Sequence, residues 1–169
     1  MRKINKIILT ALVGLSSLSL SFAQSKVAHI NTQELVASMP EMNTAKAELE
    51  KLAKTYETDI QTMAAELQSK VKQYDAEAPN ETDDENQKRL QEVQGMEQSI
   101  RQYQQQAQAD LQKKEFDLLK PISEKAQQAI VEVANSQGFD YVLDSTKGQG
   151  VILANGKDLM TDVKSKLGF

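Results

Sequence analysis

The chain has 169 residues, with 24 acidic and 20 basic side chains, no cysteine and no tryptophan. Disulfide stapling and thiol chemistry are therefore excluded, and aromatics at only 5% argue against a large compact core. The acidic balance argues against nucleic acid as a partner, because phosphate binding needs clustered Lys and Arg.

Arg2, Lys3 and Lys6 form a basic start, followed by an apolar run from Ile7 to Leu20 and the small-residue pattern Ser21-Phe22-Ala23. This is the pattern of a secretory signal peptide over residues 1–23. Its apolar run is shorter than the about 20 residues a bilayer span needs, which counts against a membrane anchor. Cleavage after Ala23 leaves 146 residues with 17 Lys and Arg against 24 Asp and Glu, a net charge of −7. Such a segment predicts an exported protein.

The mature chain opens with a strand over residues 26–30, and Asn31 with Glu34 caps a short helix that ends near Pro40. Apolar side chains then recur at Met42, Ala45, Leu49, Leu52, Tyr56, Ile60, Met63, Leu67, Val71 and Tyr74. The mean step lies between the coiled-coil repeat of about 3.5 and the straight-helix repeat of about 3.6, which predicts a long amphipathic helix with a narrow seam. Ala78-Pro79-Asn80 breaks the pattern. Thr82 to Glu85 reads as a capping box that opens a second helix, with Glu85 reaching back to Thr82. Its stripe runs Leu90, Val93, Met96, Ile100, Tyr103, Ala107, Leu111, Leu118, Ile122, Ala126, Ile130 and Val133, through a glutamine-rich stretch at 102–112. Gly138 suits the left-handed position that ends it.

Two long helices joined by a short turn run antiparallel. At about 1.5 Å per residue the first spans roughly 50 Å, too long for a globule of this size, so the hairpin projects. Gly95 and Pro121 interrupt the second helix and are the candidate hinge of the arm. Beyond Gly138, residues 139–144 read as a strand, 147–150 as a turn, and Val151-Ile152-Leu153 as a returning strand, with a last short helix that takes in Val163 to Leu167.

The expected fold is α+β and mainly α. A signal peptide occupies 1–23, a small β-containing base is formed by 24–40 and 119–169, and a helical hairpin arm occupies 41–118 with its tip near 76–84. The base is too small to be stable alone, so it is expected to oligomerise, with copies sharing their sheets around a symmetry axis. Val27, Ile30, Tyr141, Leu143, Val151 and Leu153 are the candidate core of that base and of the contact between copies. No catalytic constellation, cofactor motif or metal-ligand pattern occurs, and His29, the single histidine, sits inside a strand. The protein is therefore not expected to be an enzyme, nor to carry a cofactor or metal. Six acids between Asp75 and Glu85 face no base in that stretch; Asp83, Asp84 and Glu85 suit the helix dipole, leaving Asp75, Glu77 and Glu81 as a candidate contact surface.

The stretches KVAHINTQELVASMPE, KAELEKL, LLKPISEKAQQAIVEVANSQGFDYVLD and KDLMTDVKSKL, in this order, resemble the Skp/OmpH family of periplasmic chaperones. The resemblance implies a homotrimer with three helical hairpins around a cavity. It also implies ATP-independent holding of unfolded outer-membrane proteins. The best-studied member of that family is strongly basic, whereas this mature chain is acidic, so binding of lipopolysaccharide or a membrane surface is not carried over. Met160 stands where the family's closing helix often has threonine, which leaves Thr161 or Asp158 to supply the cap. The competing function is a structural coiled-coil spacer of the cell envelope without chaperone activity.

Overall fold

The structure is a computed structural model that describes residues 25–169; the expected signal peptide lies outside them. Strand β1 (Val27–Ile30) leads into helix α1 (Thr32–Ser38), whose first turn is capped by the Asn31 side chain accepting from the Glu34 N–H at 3.0 Å. Met39 is extended and buried, and Pro40 opens the 38-residue helix α2 (Pro40–Glu77) at a position where its missing N–H is not needed. A single 3₁₀ turn over Ala78–Asn80 reverses the chain. Thr82 then caps the 55-residue helix α3 (Asp83–Gln137) through its hydroxyl, which accepts from the Glu85 N–H at 3.2 Å. Glu85 does not reach back to Thr82. Its carboxylate turns along the helix to Lys88 and Arg89, where two cations outweigh one backbone N–H. Gly138, at φ 71°, ends α3 in the left-handed conformation.

Helices α2 and α3 lie antiparallel in one unbroken register. Glu41–Lys125, Glu48–Lys114 (2.6 Å), Tyr56–Asp110 (2.9 Å), Asp59–Tyr103 (2.6 Å), Lys70–Glu92 and Glu77–Arg89 (2.9 Å) cross between them. In each pair the two residues lie equally far before and after Thr82, to within two positions. The seam between them is the stripe read from the sequence. From Leu49 to Tyr74 every stripe residue of α2 is half-buried and none is fully covered, because two helices alone enclose no core.

The core lies at the other end of the hairpin. Ile30, Leu35, Met39, Leu159 and Val163 are fully buried against Ile122, Ala126, Ala129 and Val133 of α3. Each large side chain buried there contributes about 2 kcal/mol of transfer free energy. The sheet has the order β2-β1-β3, with β2 (Tyr141–Asp144) and β3 (Lys157–Asp158) both parallel to the central β1. The first two strands are shorter than the sequence reading, beginning at Val27 rather than Lys26 and at Tyr141 rather than Phe139.

The expected returning strand at Val151-Ile152-Leu153 does not form. The turn at 147–150 is present, with Gly148 and Gly150 at φ 87° and 94°, but residues 151–156 run outside the sheet. The chain crosses over to put Lys157–Asp158 on the free edge of β1. This placement carries Leu159 directly into the core, where it is fully buried, and that burial outweighs the modest strand preference of Val151, Ile152 and Leu153. Helix α4 (Met160–Leu167) takes in Val163 to Leu167 and begins directly after Leu159. The N-cap position falls to Leu159, which offers no side-chain capping bond; Asp158, one residue earlier, accepts from the Met160 N–H at 2.9 Å. Lys166–Glu132 and Lys157–Asp162, both at 2.8 Å, tie this helix to α3 and to β3.

Candidate functional site

Parallel pairing places Val27 beside Tyr141 and His29 beside Leu143, so these four side chains share the sheet face turned away from the core. Val27, Tyr141 and Leu143 are 43%, 60% and 46% exposed, whereas Ile30 points inward and is buried. Val151 is half-buried and Leu153 exposed, both in the segment outside the sheet. The structure thus gathers three of the six candidate base residues on one open apolar face. His29 Nδ1 lies 3.3 Å from the Ser145 hydroxyl at its margin.

Behind this face is a polar latch that the sequence did not announce. Asp144 Oδ2 accepts from the Thr32 hydroxyl at 2.6 Å, and Oδ1 accepts from the Thr146 N–H at 2.9 Å and its hydroxyl at 2.7 Å. The Thr146 hydroxyl also lies 2.9 Å from Asn31 Oδ1. Burial pushes the Asp144 carboxyl up, but the hydrogen bonds from Thr32 and Thr146 outweigh it and hold the group down at about 2. The latch joins the β1–α1 corner to the end of β2, and its partners lie more than a hundred positions apart in the chain.

Midway along the arm, Tyr56 and Tyr103 meet edge to face with ring centroids 5.8 Å apart, and each donates to an aspartate of the opposite helix. The hydrogen bond to Asp59, then burial, pushes the Tyr103 hydroxyl up to about 12, and Tyr56 is raised by the bond to Asp110. Beside the tyrosines a groove of about 710 Å³ opens between the helices. Its floor is Leu49, Tyr56, Ile60, Ala107 and Leu111, all drawn from the two seams.

At the tip, Arg89 accounts for two of the three acids left over from the helix dipole. Its guanidinium Nη2 is 2.9 Å from both Glu77 and Glu81 and lies over the Tyr74 ring at 4.8 Å. The knot closes the turn from inside. The base that answers these acids stands four residues beyond the acidic stretch, on the first exposed turns of α3. Of the candidate hinge residues, Pro121 is exposed at the height where the arm enters the base, and Gly95 has open space where a side chain would go. Helix α3 is continuous through both.

Among the described residues there is no cysteine, no group of His, Asp and Glu placed to hold a metal ion, and no helix long and apolar enough to cross a membrane. Two long helices folded back on each other above a small helix-covered sheet define an arm-and-base protein. The family described as Outer membrane protein (OmpH-like) matches residues 26–167. The chain belongs to that family, a non-catalytic class of periplasmic chaperones. It is 25% identical over 141 residues to the chaperone protein Skp of Photorhabdus laumondii, covering 83% of this chain and 84% of that one. Its fold is similar to a crystal structure described as an OmpH-like outer membrane chaperone from Caulobacter crescentus, with a TM-score of 0.76 at 19% identity. That likeness covers 85% of this chain and 84% of the other.

Proposed function

We infer that the mature protein, released from its signal peptide, is a homotrimeric holdase that shields unfolded outer-membrane proteins between its arms without using ATP. The observation that carries this reading is the half-covered seam. Between Leu49 and Tyr74 the arm presents apolar side chains along its whole length and closes none of them into a core. Such a surface makes many weak contacts with a chain that has not yet buried its own apolar residues, and releases it without a fixed pocket. The open sheet face of Val27, Tyr141 and Leu143 supports assembly through the base, since an unpartnered apolar face beside a free strand edge is normally covered by another subunit. Pro121 and Gly95 serve as the hinge that lets the arms adapt to clients of different size.

The test is to dilute a urea-unfolded outer-membrane barrel into buffer with and without the mature protein, in the absence of nucleotide. Light scattering should stay low with the protein present at a slight excess of trimer. Aggregation at the unassisted rate would overturn the holdase reading. Sedimentation of the mature protein should give a trimer, and a folded monomer at micromolar concentration would overturn the assembly.

A further inference from the structure

The groove beside Tyr56 has two unlike walls. On the α3 side, Gln104, Gln108 and Gln112 recur every fourth residue along one edge. On the α2 side stand Glu50 and Glu57, the latter accepting from Gln61 at 3.2 Å, and Glu115 ends the α3 edge; none of the three acids has a cationic partner among the described residues. The three glutamines make no side-chain hydrogen bond among the described residues, whereas their neighbour Gln106 is engaged with Asp110 at 2.8 Å.

The spacing of the amides selects an occupant. Four helical residues advance about 6 Å, so the three side-chain amides form a row with that repeat. An extended chain presents a peptide group to one side every second residue, about 6.6 Å apart. The two repeats stay in step over three amides, and each glutamine carries both a donor and an acceptor for the N–H or C=O it meets. A helical ligand has already used its backbone groups internally and gains nothing from such a row. The same alternation drives every other side chain of an extended segment down onto Tyr56, Ile60 and Leu111. From Leu49 to Ile60 the floor is about 17 Å long, room for roughly five extended residues. The Glu50 and Glu57 wall favours lysine or arginine among the remaining positions and disfavours acids.

We propose that this groove is a strand-holding site for extended segments that alternate apolar with basic residues, gripped through their backbone by the Gln104–Gln108–Gln112 row. The site rests on the holdase reading and gives it a substrate class: the amphipathic strands of an unfolded barrel, taken one short segment at a time. The glutamine-rich stretch thereby acquires a role that its helical propensity alone does not require.

Fluorescence anisotropy with the full mature protein tests it, using a labelled ten-residue peptide that alternates Val or Leu with Lys. Two controls are the same peptide with Glu for Lys, and a composition-matched peptide patterned for an amphipathic helix. Both controls should bind at least ten-fold more weakly. The variant Gln104→Ala/Gln108→Ala/Gln112→Ala, which keeps good helix formers and should match the wild-type circular dichroism, should lose about ten-fold for the Lys peptide. Glu50→Gln/Glu57→Gln should remove most of the difference between the Lys and Glu peptides. Unchanged affinity in the triple variant, or equal binding of the helix-patterned peptide, overturns the site. So does failure of the wild type to bind the Lys peptide when sedimentation shows self-association that the triple variant abolishes, since the groove then receives a second arm. The barrel-dilution assay on the same variants separates the two levels. If the wild type suppresses aggregation and the triple variant does so equally well, the groove falls and the holdase reading stands. If the wild type binds the Lys peptide but does not hold the barrel, the groove stands and the holdase reading falls.

Discussion

Replacing Arg89 by methionine removes the guanidinium at the arm tip while keeping an unbranched apolar stem over the Tyr74 ring. The side chain is only 14% exposed, and Nη2 meets Glu77 and Glu81 at 2.9 Å each. A charge-assisted hydrogen bond contributes about 1.5–3 kcal/mol when buried. Both glutamates are substantially exposed, so about 1 kcal/mol apiece is the appropriate figure after solvent screening. The cation over Tyr74 adds about 0.5–1 kcal/mol. Against these stands Nη1, buried without a partner, at a cost of about 1 kcal/mol that the methionine relieves. The net loss is about 2 kcal/mol, or roughly a 30-fold rise in the opening constant of the tip. Hydrogen exchange resolved by residue is the suitable assay, because the arm tip opens without unfolding the base. Amides around Tyr74 and Val93 should exchange roughly 30-fold faster in the variant, while those of Ile30 and Val142 keep their rates. Exchange at the tip within three-fold of the wild type would refute the reasoning, as would equal acceleration in the base.

Three further outcomes follow from the geometry. Asp144 is held below its unfolded value, so its contribution is present above about pH 4 and is lost as the pH falls through about 2; Asp144→Asn should cost about 1–2 kcal/mol in urea unfolding at pH 7, and that difference should vanish near pH 2 rather than grow. Tyr103 is raised to about 12, so its bond supports the arm below about pH 10 and fails as the pH rises through 12; among the four tyrosines it should ionise late in an absorbance titration, and Asp59→Asn should return it toward the ordinary value. Pro121 removes the N–H that would bond the Asp117 carbonyl, so Pro121→Ala should stabilise α3 by up to about 3 kcal/mol and narrow the distance distribution in small-angle scattering, whereas an unchanged distribution would make it a boundary marker only.

Features that depend on neighbours in the chain are legible in the sequence alone. The seam positions from Met42 to Tyr74 are those the helix covers, and Asn31, Thr82 and Gly138 each stand at the helix end their chemistry suits. Features that depend on distant partners are not. Val151-Ile152-Leu153 has strand-forming residues but no alternation, and nothing local reveals that burying Leu159 decides which segment pairs with β1. The Asp144 latch is written in four small polar residues that are unremarkable until the chain returns on itself. Arg89 was invisible as the tip's organiser because its partners lie on the far side of a turn. The groove shows a mixed case: the glutamines were conspicuous in the sequence, but their wall had no opposite until α2 lay beside them.

The mirror placement of the cross-arm pairs around Thr82 bears on how such a molecule can change size over generations. A segment lost from α2 alone, between Tyr56 and Thr82, would carry Glu48 away from Lys114 and Tyr56 away from Asp110, and every rung between the lesion and the base would be mismatched at once. A loss of two whole heptads, one on each side of Thr82 at equal distance, leaves the remaining rungs facing each other and touches no residue of the base. Matched losses or gains of about one heptad per helix therefore resize the arm while Leu35, Leu159 and Val163 keep their places.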